Sequence, residues 1–362
     1  MYTIAIVGAG LIGPRHAHSV LSNPSTSLVA LVDPSPAARS TAKDLEDTPY
    51  FESVQAMLLA GVRPDGAIVC TPNHTHVPLA QELLEANIHV LLEKPISDTV
   101  ESAKRLLEMV TLRQNDPTAA RVLVGHHRRF NPYVVKTKQL LDAKSLGSVI
   151  AVNGLWTLYK PASYFDSGVW RKGPAGGVLG INLIHDVDVL QFLFGKISRV
   201  HAEGIPSQRG ADHSADEGAL VLFRFESGVV ASFLVCDATP SPYNFESGTG
   251  ENPTIPANSQ PGTQGKQRVD FYRIFGSDAS LSVPDMTRWS YTGEKSWNEP
   301  LLAENIAVEE SVPFDAQLKH FVDVMNGHQP SCSVEDGLRA LTVVQAVKKA
   351  LEGEIVDVDG VY

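Results

Sequence analysis

Residues Ile4–Gly13 read IAIVGAGLIG, an apolar run that leads into three glycines with Gly-x-Gly-x-x-Gly spacing. This pattern predicts a buried strand, a tight turn and the start of a helix. Gly8 permits the turn, Gly10 lets the backbone approach a pyrophosphate, and Gly13 lets the helix pack close to the strand. The stretch therefore predicts a dinucleotide site at the start of an α/β domain.

The next apolar run ends at Asp33, twenty residues after Gly13, where a carboxylate is expected to bind the ribose hydroxyls of the cofactor. A carboxylate repels a 2′-phosphate, and the first cation that follows is Arg39. NAD is therefore favoured over NADP. We expect Leu11 and Ile12, inside the turn, to join the glycines in the cofactor site.

Short apolar runs alternate with amphipathic stretches over residues 1–126, which indicates βαβ units. We expect a Rossmann domain there, with a doubly wound parallel sheet. The predicted strands cover 3–8, 28–32, 49–51, 66–71, 88–92 and 121–125.

Over residues 127–362, period-two runs dominate and few helices separate them, which favours antiparallel pairing. This predicts an α+β C-terminal domain for substrate binding and oligomerisation, with a large, mainly antiparallel, open-faced sheet. Its predicted strands are 149–158, 199–202, 218–225, 229–236, 269–275 and 279–283. Its predicted helices are 132–143, 177–194, 315–326 and 334–352. The Pro-, Ser- and Gly-rich stretch 238–267 is too long for an ordinary connection and predicts a functional or mobile loop.

The composition excludes several classes of protein. The 362 residues are 43% hydrophobic and 20% charged with a net charge of −11, and charges of both signs are scattered, which argues against nucleic-acid binding. No 18-residue apolar run predicts a membrane span, and no basic segment indicates a secretory signal. Three distant cysteines match neither a disulfide framework nor a zinc site. His126 and His127 lack a third ligand at a metal spacing, so we expect no metal. Because the cysteines form no disulfide framework, we expect a reducing, cytoplasmic location.

Two further motifs end neighbouring strands. A Cys-Thr-Pro-Asn-x-x-His segment occupies 70–76, and Glu-Lys-Pro occupies 93–95. Because parallel strands end at one edge of a sheet, where such sheets bind ligands, both motifs are expected beside the cofactor. The predicted cofactor contacts from these motifs are Thr71, Pro72, Asn73, His76, Glu93 and Lys94.

These motifs, with the glycine pair 176–177 and the His-Asp-Val-Asp segment 185–188, resemble the Gfo/Idh/MocA family, named for glucose-fructose oxidoreductase and inositol dehydrogenase. Segment 125–132 resembles the family's interdomain Arg-Phe segment. The resemblance covers nearly the whole chain in the right order. It implies an NAD(P)-dependent dehydrogenase or reductase that acts on CH–OH groups of sugars, cyclitols or related polyols. It also implies a homodimer or homotetramer.

By this resemblance, Lys94 binds the reacting oxygen, and His185 is the general base in oxidation and the acid in reduction. The chemistry agrees, because histidine exchanges protons near neutral pH and an ammonium stabilises a developing alkoxide. The substrate contacts that we expect are Lys94, Arg129, Trp170, Arg171, Asn182 and His185. Tyr159 and Tyr164 are further candidates for lining a sugar site.

One position departs from the family pattern. Many relatives have an aspartate four residues before the histidine, and this chain has Ile181 there. Two explanations stay open: Asn182 makes the substrate contact, or Asp186 or Asp188 orients the imidazole. Family-average substrate assignments are therefore not transferable to this chain.

Two other functions compete with dehydrogenation. An NAD-binding sensor or regulator without turnover uses the same fold, but it needs neither a lysine nor a base at the nicotinamide ring. A lyase or glycosidase that uses bound NAD for transient oxidation needs a further acid/base.

The open sheet is expected to form a subunit interface, because apolar side chains along its strands need cover. The examples are Val221, Phe223, Phe225 and Phe233.

Overall fold

The computed structural model describes residues 1–252, 254–256 and 269–361, and the chain forms two compact units. The first unit comprises residues 1–131 and 311–341, and the second comprises 132–310 and 342–362. The domain division drawn from the sequence, 1–126 and 127–362, differs chiefly in giving 311–341 to the second domain.

The first unit is built on a six-stranded sheet in which all neighbouring strands are parallel, with the order β3-β2-β1-β4-β5-β6. The predicted doubly wound Rossmann sheet is thus confirmed. Strands β4 and β6 are buried along their whole length, as expected of strands covered on both faces. The strands are β1 Tyr2–Val7, β2 Thr26–Val32, β3 Tyr50–Phe51, β4 Gly66–Val69, β5 His89–Glu93 and β6 Val122–Gly125.

Helices connect these strands, and two of them begin at side-chain caps. Ser53 accepts the backbone N–H of Ala56, and Thr99 accepts that of Ser102, so each hydroxyl satisfies an N–H that has no partner within its helix. Numbered along the chain, the helices that lie wholly in this unit are α1 Gly13–Ser22, α2 Ala38–Asp44, α3 Val54–Leu59, α4 His76–Glu85, α5 Val100–Arg113 and α10 Pro313–Met325. Helix α11, Val334–Ala350, begins in this unit.

Helix α10 belongs to the core of the first unit although it lies far along the chain. Leu318 and Phe321 are buried in the same apolar cluster as the strands of the parallel sheet. A Cβ atom on Gly66 would lie 2.9 Å from Cε1 of Phe321, so β4 and α10 approach each other closely. The return of residues 311–341 to the first unit rests on this packing.

The second unit contains a nine-stranded sheet with the order β14-β13-β12-β11-β7-β10-β9-β8-β15. Only β7 and β10 pair in parallel, so the predicted, mainly antiparallel sheet is confirmed. The strands are β7 Val149–Thr157, β8 Ile197–Gly204, β9 Gly218–Phe225, β10 Val230–Cys236, β11 Tyr272–Gly276, β12 Ala279–Val283, β13 Thr287–Ser290, β14 Leu302–Asn305 and β15 Val356–Asp357. The sequence did not predict the last three, because β14 is fully exposed, β13 lacks an apolar alternation and β15 is only two residues long.

The two faces of this sheet carry different side chains. The four residues expected to need cover from a partner subunit, Val221, Phe223, Phe225 and Phe233, are buried within the chain. Phe194, at the end of the helix that precedes β8, packs edge-on against Phe225. The side chains at the alternate positions of these strands point toward the opposite face of the sheet. Leu220, Leu222 and Val230 are about half exposed. The open face thus exists, but the sequence analysis assigned the wrong residues to it.

The helices of the second unit are short. They are α6 Pro132–Asp142, α7 Ala162–Asp166, α8 Ile184–Phe194 and α9 Phe245–Thr249. The single helix predicted over 177–194 is a π-helical turn at Leu179–Leu183 followed by α8, and a 3₁₀ turn at Pro174–Gly176 precedes it. Of the predicted loop 238–267, residues 253 and 257–267 lie outside the described part of the chain, and α9 lies within the rest.

One stretch of the second unit is apolar enough to cross a membrane by length and composition alone. It is Pro174–Phe194, and 72% of its apolar window is buried inside the protein. Such burial is typical of a helix in the core of a folded domain, and the stretch is weak evidence for a membrane span.

The packing of α10 can be tested with two identical substitutions in the first unit. Leu318→Ala should cost roughly 2–5 kcal/mol of unfolding free energy, because it leaves a cavity in the core. Leu59→Ala, at the exposed end of α3, should cost about 0.5 kcal/mol or less. Denaturant unfolding followed by circular dichroism measures both. Equal losses in the two variants would contradict the place of α10 in the core.

Candidate active site

The glycine turn is shaped by close backbone contacts. Gly8 has φ of +105°, and a Cβ atom there would lie 2.7 Å from the Cys70 carbonyl oxygen. A Cβ atom on Gly13 would lie 2.0 Å from the Gly8 carbonyl oxygen. A Cβ atom on Gly10 would have no neighbour within 4 Å. The turn thus requires glycine at its two ends and leaves open space at its centre, which fits a dinucleotide pyrophosphate at the N-terminus of α1.

Asp33 is fixed against this turn. One carboxylate oxygen accepts the backbone N–H of Ala9 at 2.8 Å, and the other accepts that of Ser35 at 2.8 Å. The carboxylate of Asp33 therefore lies at the glycine turn, as its predicted contact with the cofactor ribose requires. Leu11 is highly exposed and Ile12 is half-buried at the same turn.

The segment after β4 is tied to the segment after β5 by His76. Its Nε2 lies 2.8 Å from the Thr71 carbonyl oxygen, and its Nδ1 lies 2.8 Å from that of Pro95. Burial lowers the pKa of His76, and the two carbonyl oxygens oppose that shift. The ring is buried between these two carbonyl oxygens, so the imidazole joins the two segments, and its predicted contact with the cofactor stays a prediction.

Lys94 follows a buried carboxylate. Glu93 ends β5, its Oε1 lies 2.9 Å from Nε2 of His16 on α1, and its Oε2 accepts the backbone N–H of Lys94 at 3.1 Å. Burial raises the pKa of Glu93, but the hydrogen bond and charge of His16, with the charges of His127 and Lys94, lower it to about 2. An ionised Glu93 therefore links the backbone of Lys94 to the helix that begins at the glycine turn.

The sequence analysis missed His16, although a weak signal was present. His16 lies three residues after Gly13 on the buried face of α1. A buried histidine on a cofactor-site helix requires a polar partner, but the sequence alone does not identify it.

Arg129 lies in the interior of the first unit. Its guanidinium donates to the Ser331 carbonyl oxygen and lies 3.6 Å from the Asp336 carboxylate. These contacts hold the segment that precedes α11. The structure thus gives Arg129 a structural role, and its predicted contact with substrate stays a prediction.

His185 is the second residue of α8, in the second unit, and it is largely buried. The preceding turn, Leu179–Leu183, is π-helical and closes its hydrogen bonds over five residues. The face that Ile181 would share with His185 in an ideal α-helix is therefore altered. Such π-helical turns occur frequently at functional sites.

Asn182, in this π-helical turn, contacts a buried lysine that the sequence analysis did not identify. Its Oδ1 accepts a hydrogen bond from Nζ of Lys160 at 2.8 Å, and the same Nζ lies 3.0 Å from Oδ2 of Asp237. Burial lowers the pKa of Lys160, and the charge of Asp237 opposes that shift. Since an ammonium only donates, Oδ1 of Asn182 must face Lys160, and its Nδ2 donor points elsewhere.

The two aspartates after His185 differ in their surroundings. Both are fully buried, and Asp186 accepts a hydrogen bond from the hydroxyl of Tyr272 on β11. Asp186 is thereby bound to the core of the second unit. That Asp186 or Asp188 orients the imidazole of His185 stays a prediction.

Trp170 and Arg171 lie in a 3₁₀ turn of the second unit. Trp170 is more than half exposed, whereas Arg171 donates to the Tyr164 carbonyl oxygen at 2.8 Å and stacks 4.3 Å from the centre of the Tyr164 ring. Arg171 is thus held by its own chain segment. Tyr159 is exposed, as a residue that lines an open site would be.

Known proteins resemble the whole chain. The inositol 2-dehydrogenase of Rhizobium meliloti strain 1021 is 24% identical over 96% of each chain. A putative NADPH-dependent oxidoreductase from Desulfitobacterium hafniense DCB-2 has a TM-score of 0.80 at 22% identity, with 99% of this chain and 98% of that one covered. The scyllo-inositol dehydrogenase of Lactobacillus casei, solved with NAD(H) and scyllo-inositol, has a TM-score of 0.75 at 21% identity, with 99% of each chain covered. At these identities, the structures show the fold alone.

The match to family models is more informative. Residues 2–118 match the model of an oxidoreductase family with an NAD-binding Rossmann fold. Residues 138–358 match the model of the same family's C-terminal alpha/beta domain. The two matches cover most of the chain in the order that its motifs predict. The chain therefore belongs to the Gfo/Idh/MocA family of NAD-binding oxidoreductases.

Proposed function

We propose that this NAD-dependent enzyme oxidises a secondary carbinol, or reduces the corresponding carbonyl, in a sugar, a cyclitol or a related polyol. The observation that carries the proposal is the position of Lys94, whose backbone is bound by the same carboxylate that contacts the helix of the glycine turn. The relatives named as inositol dehydrogenases support the polyol class of substrate.

The proposed chemistry divides between two side chains. A nicotinamide cofactor held at the glycine turn would supply the redox chemistry, as NAD⁺ when the carbinol is oxidised and as NADH when the carbonyl is reduced. The ammonium of Lys94 stabilises negative charge that develops on the reacting oxygen. The imidazole of His185 accepts the proton of the carbinol in oxidation and returns a proton to the oxygen in reduction.

Absorbance of NADH tests the proposal directly. Purified protein with NAD and a panel of sugars, inositols and hydroxy acids should form NADH with at least one polyol. Binding of NAD without turnover on the whole panel would instead favour the sensor or regulator. Conversion of a substrate without net NADH would favour the lyase or glycosidase.

We also expect a cytoplasmic location. The cysteines 70, 236 and 332 are not joined in disulfides, which suits a reducing compartment. Fractionation of cells that express the protein would test this expectation.

Replacing either proposed catalytic residue should reduce turnover while leaving the NAD site intact. Lys94→Ala and His185→Ala should each lower kcat roughly 10²–10⁴-fold. The NAD dissociation constant should change little, because Asp33 and the glycine turn are untouched. His185→Ala should also remove the acidic limb of the oxidation profile, since a protonated imidazole cannot accept the carbinol proton.

Exposed residues of the same types provide the controls. Lys43→Ala and His18→Ala should keep full turnover, because both side chains lie on the surface of the first unit. If His185→Ala kept wild-type turnover with the same acidic limb, then Asp186, Asp188 or Lys94 must carry the proton.

NAD should be preferred over NADP. The Asp33 carboxylate is fixed at the cofactor turn, and Arg39, the nearest following cation, stacks 4.8 Å from the centre of the Tyr50 ring and lies 3.4 Å from Glu52. Asp33→Asn should reduce the preference roughly tenfold, because it removes the repulsion of a 2′-phosphate while keeping an acceptor for Ala9. Values of kcat/KM for both cofactors measure this. Equal or better use of NADP by the wild-type protein would overturn the role of Asp33.

The open face of the second unit should form a subunit interface in a homodimer or homotetramer. Leu220, Leu222 and Val230 leave an apolar patch on that face, and such patches on soluble proteins mark contact sites. Leu222→Glu should shift the mass measured by light scattering toward the monomer. Leu59→Glu, on an exposed helix end of the first unit, should not. A monomeric wild-type protein at micromolar concentration would reject the interface.

A further inference from the structure

The imidazole of His76 has a carbonyl oxygen at each of its two nitrogens. Its Nδ1 lies 2.8 Å from the oxygen of Pro95, and its Nε2 lies 2.8 Å from that of Thr71. A carbonyl oxygen only accepts hydrogen bonds, and a neutral imidazole has a single N–H group, because its other nitrogen is an acceptor. The ring can therefore donate to both oxygens only as an imidazolium, in which both nitrogens carry a proton.

The neutral ring fits this position less well. In either tautomer, one nitrogen lone pair then faces a carbonyl oxygen, and neither group can donate. His76 is only 1% exposed, so water has little access to these two acceptors. A buried acceptor that loses its donor costs free energy. Loss of the proton thus breaks one of the two contacts and favours a movement of the segments that the ring joins.

The segment on the Thr71 side is closed by hydrogen bonds of its own. The backbone N–H of Thr75 donates to the carbonyl oxygen of Pro72 at 2.8 Å, and the hydroxyl of Thr75 lies 2.6 Å from that of Thr71. Thr71 is therefore held by the turn that follows it. The bond from His76 to Pro95 ties this closed turn to the segment that carries Lys94.

The backbone of Lys94 lies between two anchors. On one side, Oε2 of Glu93 accepts the Lys94 N–H, and on the other, Nδ1 of His76 contacts the carbonyl oxygen of Pro95. Burial raises the pKa of Glu93, but the contact with His16 outweighs burial and brings it to about 2. The anchor at Glu93 thus keeps its charge near neutral pH, whereas the anchor at His76 depends on a proton that histidine exchanges there.

The charges around His76 determine where it loses that proton. Burial lowers the pKa of His76 from its ordinary value of 6.5, the two carbonyl contacts and the charge of Glu93 oppose that shift, and the charge of Lys94 adds to it. Helix α4, which His76 begins, packs against β4, β5, α3, α5 and the turn before it. Beside β4, burial raises the pKa of the Cys70 thiol, which stays neutral, and His74 of the turn is exposed. His76 therefore holds both segments at acidic pH and loses one contact as the pH rises through a pKa below 6.5.

We propose that His76 is a positioning residue for Lys94, which it holds in the productive conformation only as an imidazolium bonded to both Thr71 and Pro95. The inference rests on the proposed function, in which Lys94 binds the reacting oxygen, and it adds a proton requirement at a second residue. Residues 71–73 and 93–94 are also predicted cofactor contacts. The protonated ring should therefore tighten the binding of NAD.

Calorimetric titration with NAD tests the proton requirement without turnover. The NAD dissociation constant of the wild-type protein should rise roughly tenfold between about pH 5 and pH 8, because a hydrogen bond to a charged group is lost. His76→Gln should bind NAD at the alkaline wild-type level throughout, because the amide has one donor end and one acceptor end at every pH, like the neutral ring. His18→Gln, at an exposed residue of α1, should keep the wild-type dependence.

Turnover separates positioning from a merely structural role. At acidic pH, His76→Gln should lower kcat roughly 10–100-fold, as small displacements of a reacting group do. Toward alkaline pH the ratio of wild-type to variant kcat should approach one, because the wild-type ring is then neutral. The titration of His185 cancels in this ratio, since both proteins retain that residue. An equal loss of kcat at every pH would indicate structural damage and would contradict the proton requirement.

Nitrogen NMR of the wild-type protein with labelled histidine observes the ring itself, and it decides the matter if His76→Gln fails to fold. Both ring nitrogens of His76 should carry protons at about pH 5, and one should lose its proton toward pH 8. A ring that keeps one protonation state over this range would overturn the proposal. NAD binding that depends on the proton of His76, without NADH from any polyol, would retain the positioning of the segment and reject the dehydrogenase. Turnover of a polyol with pH-independent NAD binding would retain the dehydrogenase and reject the role of His76.

Discussion

The close approach of Gly13 to the Gly8 carbonyl oxygen is the constraint on which the arrangement of the first unit depends. With no room for a Cβ atom, α1 begins directly against the end of β1. This places His16, one turn into the helix, within hydrogen-bond distance of Glu93 at the end of β5. Glu93 in turn binds the backbone of Lys94. The position of the proposed oxygen-binding lysine thus follows from a steric requirement at the cofactor turn.

The second unit uses a related arrangement with different residues. There, a fully buried carboxylate, Asp237, holds the ammonium of Lys160, which fixes the amide of Asn182 before His185 in the chain. Burying charged groups is costly unless they are paired and hydrogen-bonded, and removing one partner of such a pair is strongly destabilising. In the first unit, a buried carboxylate thus holds the backbone of a proposed reacting residue, Lys94. In the second, it holds a lysine that is bound to Asn182, three residues before His185. Rigid support of this kind keeps a site in one geometry before its ligand arrives.

The sequence predicted the features that depend on local pattern. Strands buried on both faces and a glycine turn with fixed spacing are readable because each signal lies within about ten residues, and so the Rossmann sheet was predicted correctly. The contacts that position the site are not local. His16 and Glu93 are separated by 77 residues, and Lys160 and Asn182 by 22. No periodicity links such pairs, so only the folded chain reveals them.

The errors in the second unit have equally specific causes. An alternating strand indicates two faces but not which face the chain itself covers, so Val221 and Phe223 were assigned to the open face that Leu220 and Leu222 occupy. A helix predicted from apolar composition also hides a π-helical turn, because the turn changes hydrogen-bond spacing without changing composition.

That π-helical turn matters for the chemistry of the site. A carboxylate only accepts hydrogen bonds, whereas the amide of Asn182, whose oxygen already accepts one from Lys160, also carries an NH₂ donor. If Asn182 contacts the substrate, as the sequence predicts, an oxygen of the ligand is the natural partner of its NH₂ group. Unpaired polar groups discriminate between ligands far more strongly than missing apolar contacts do. The substrate of this enzyme therefore has to be inferred from the residues around Lys160, and not from the average of its family.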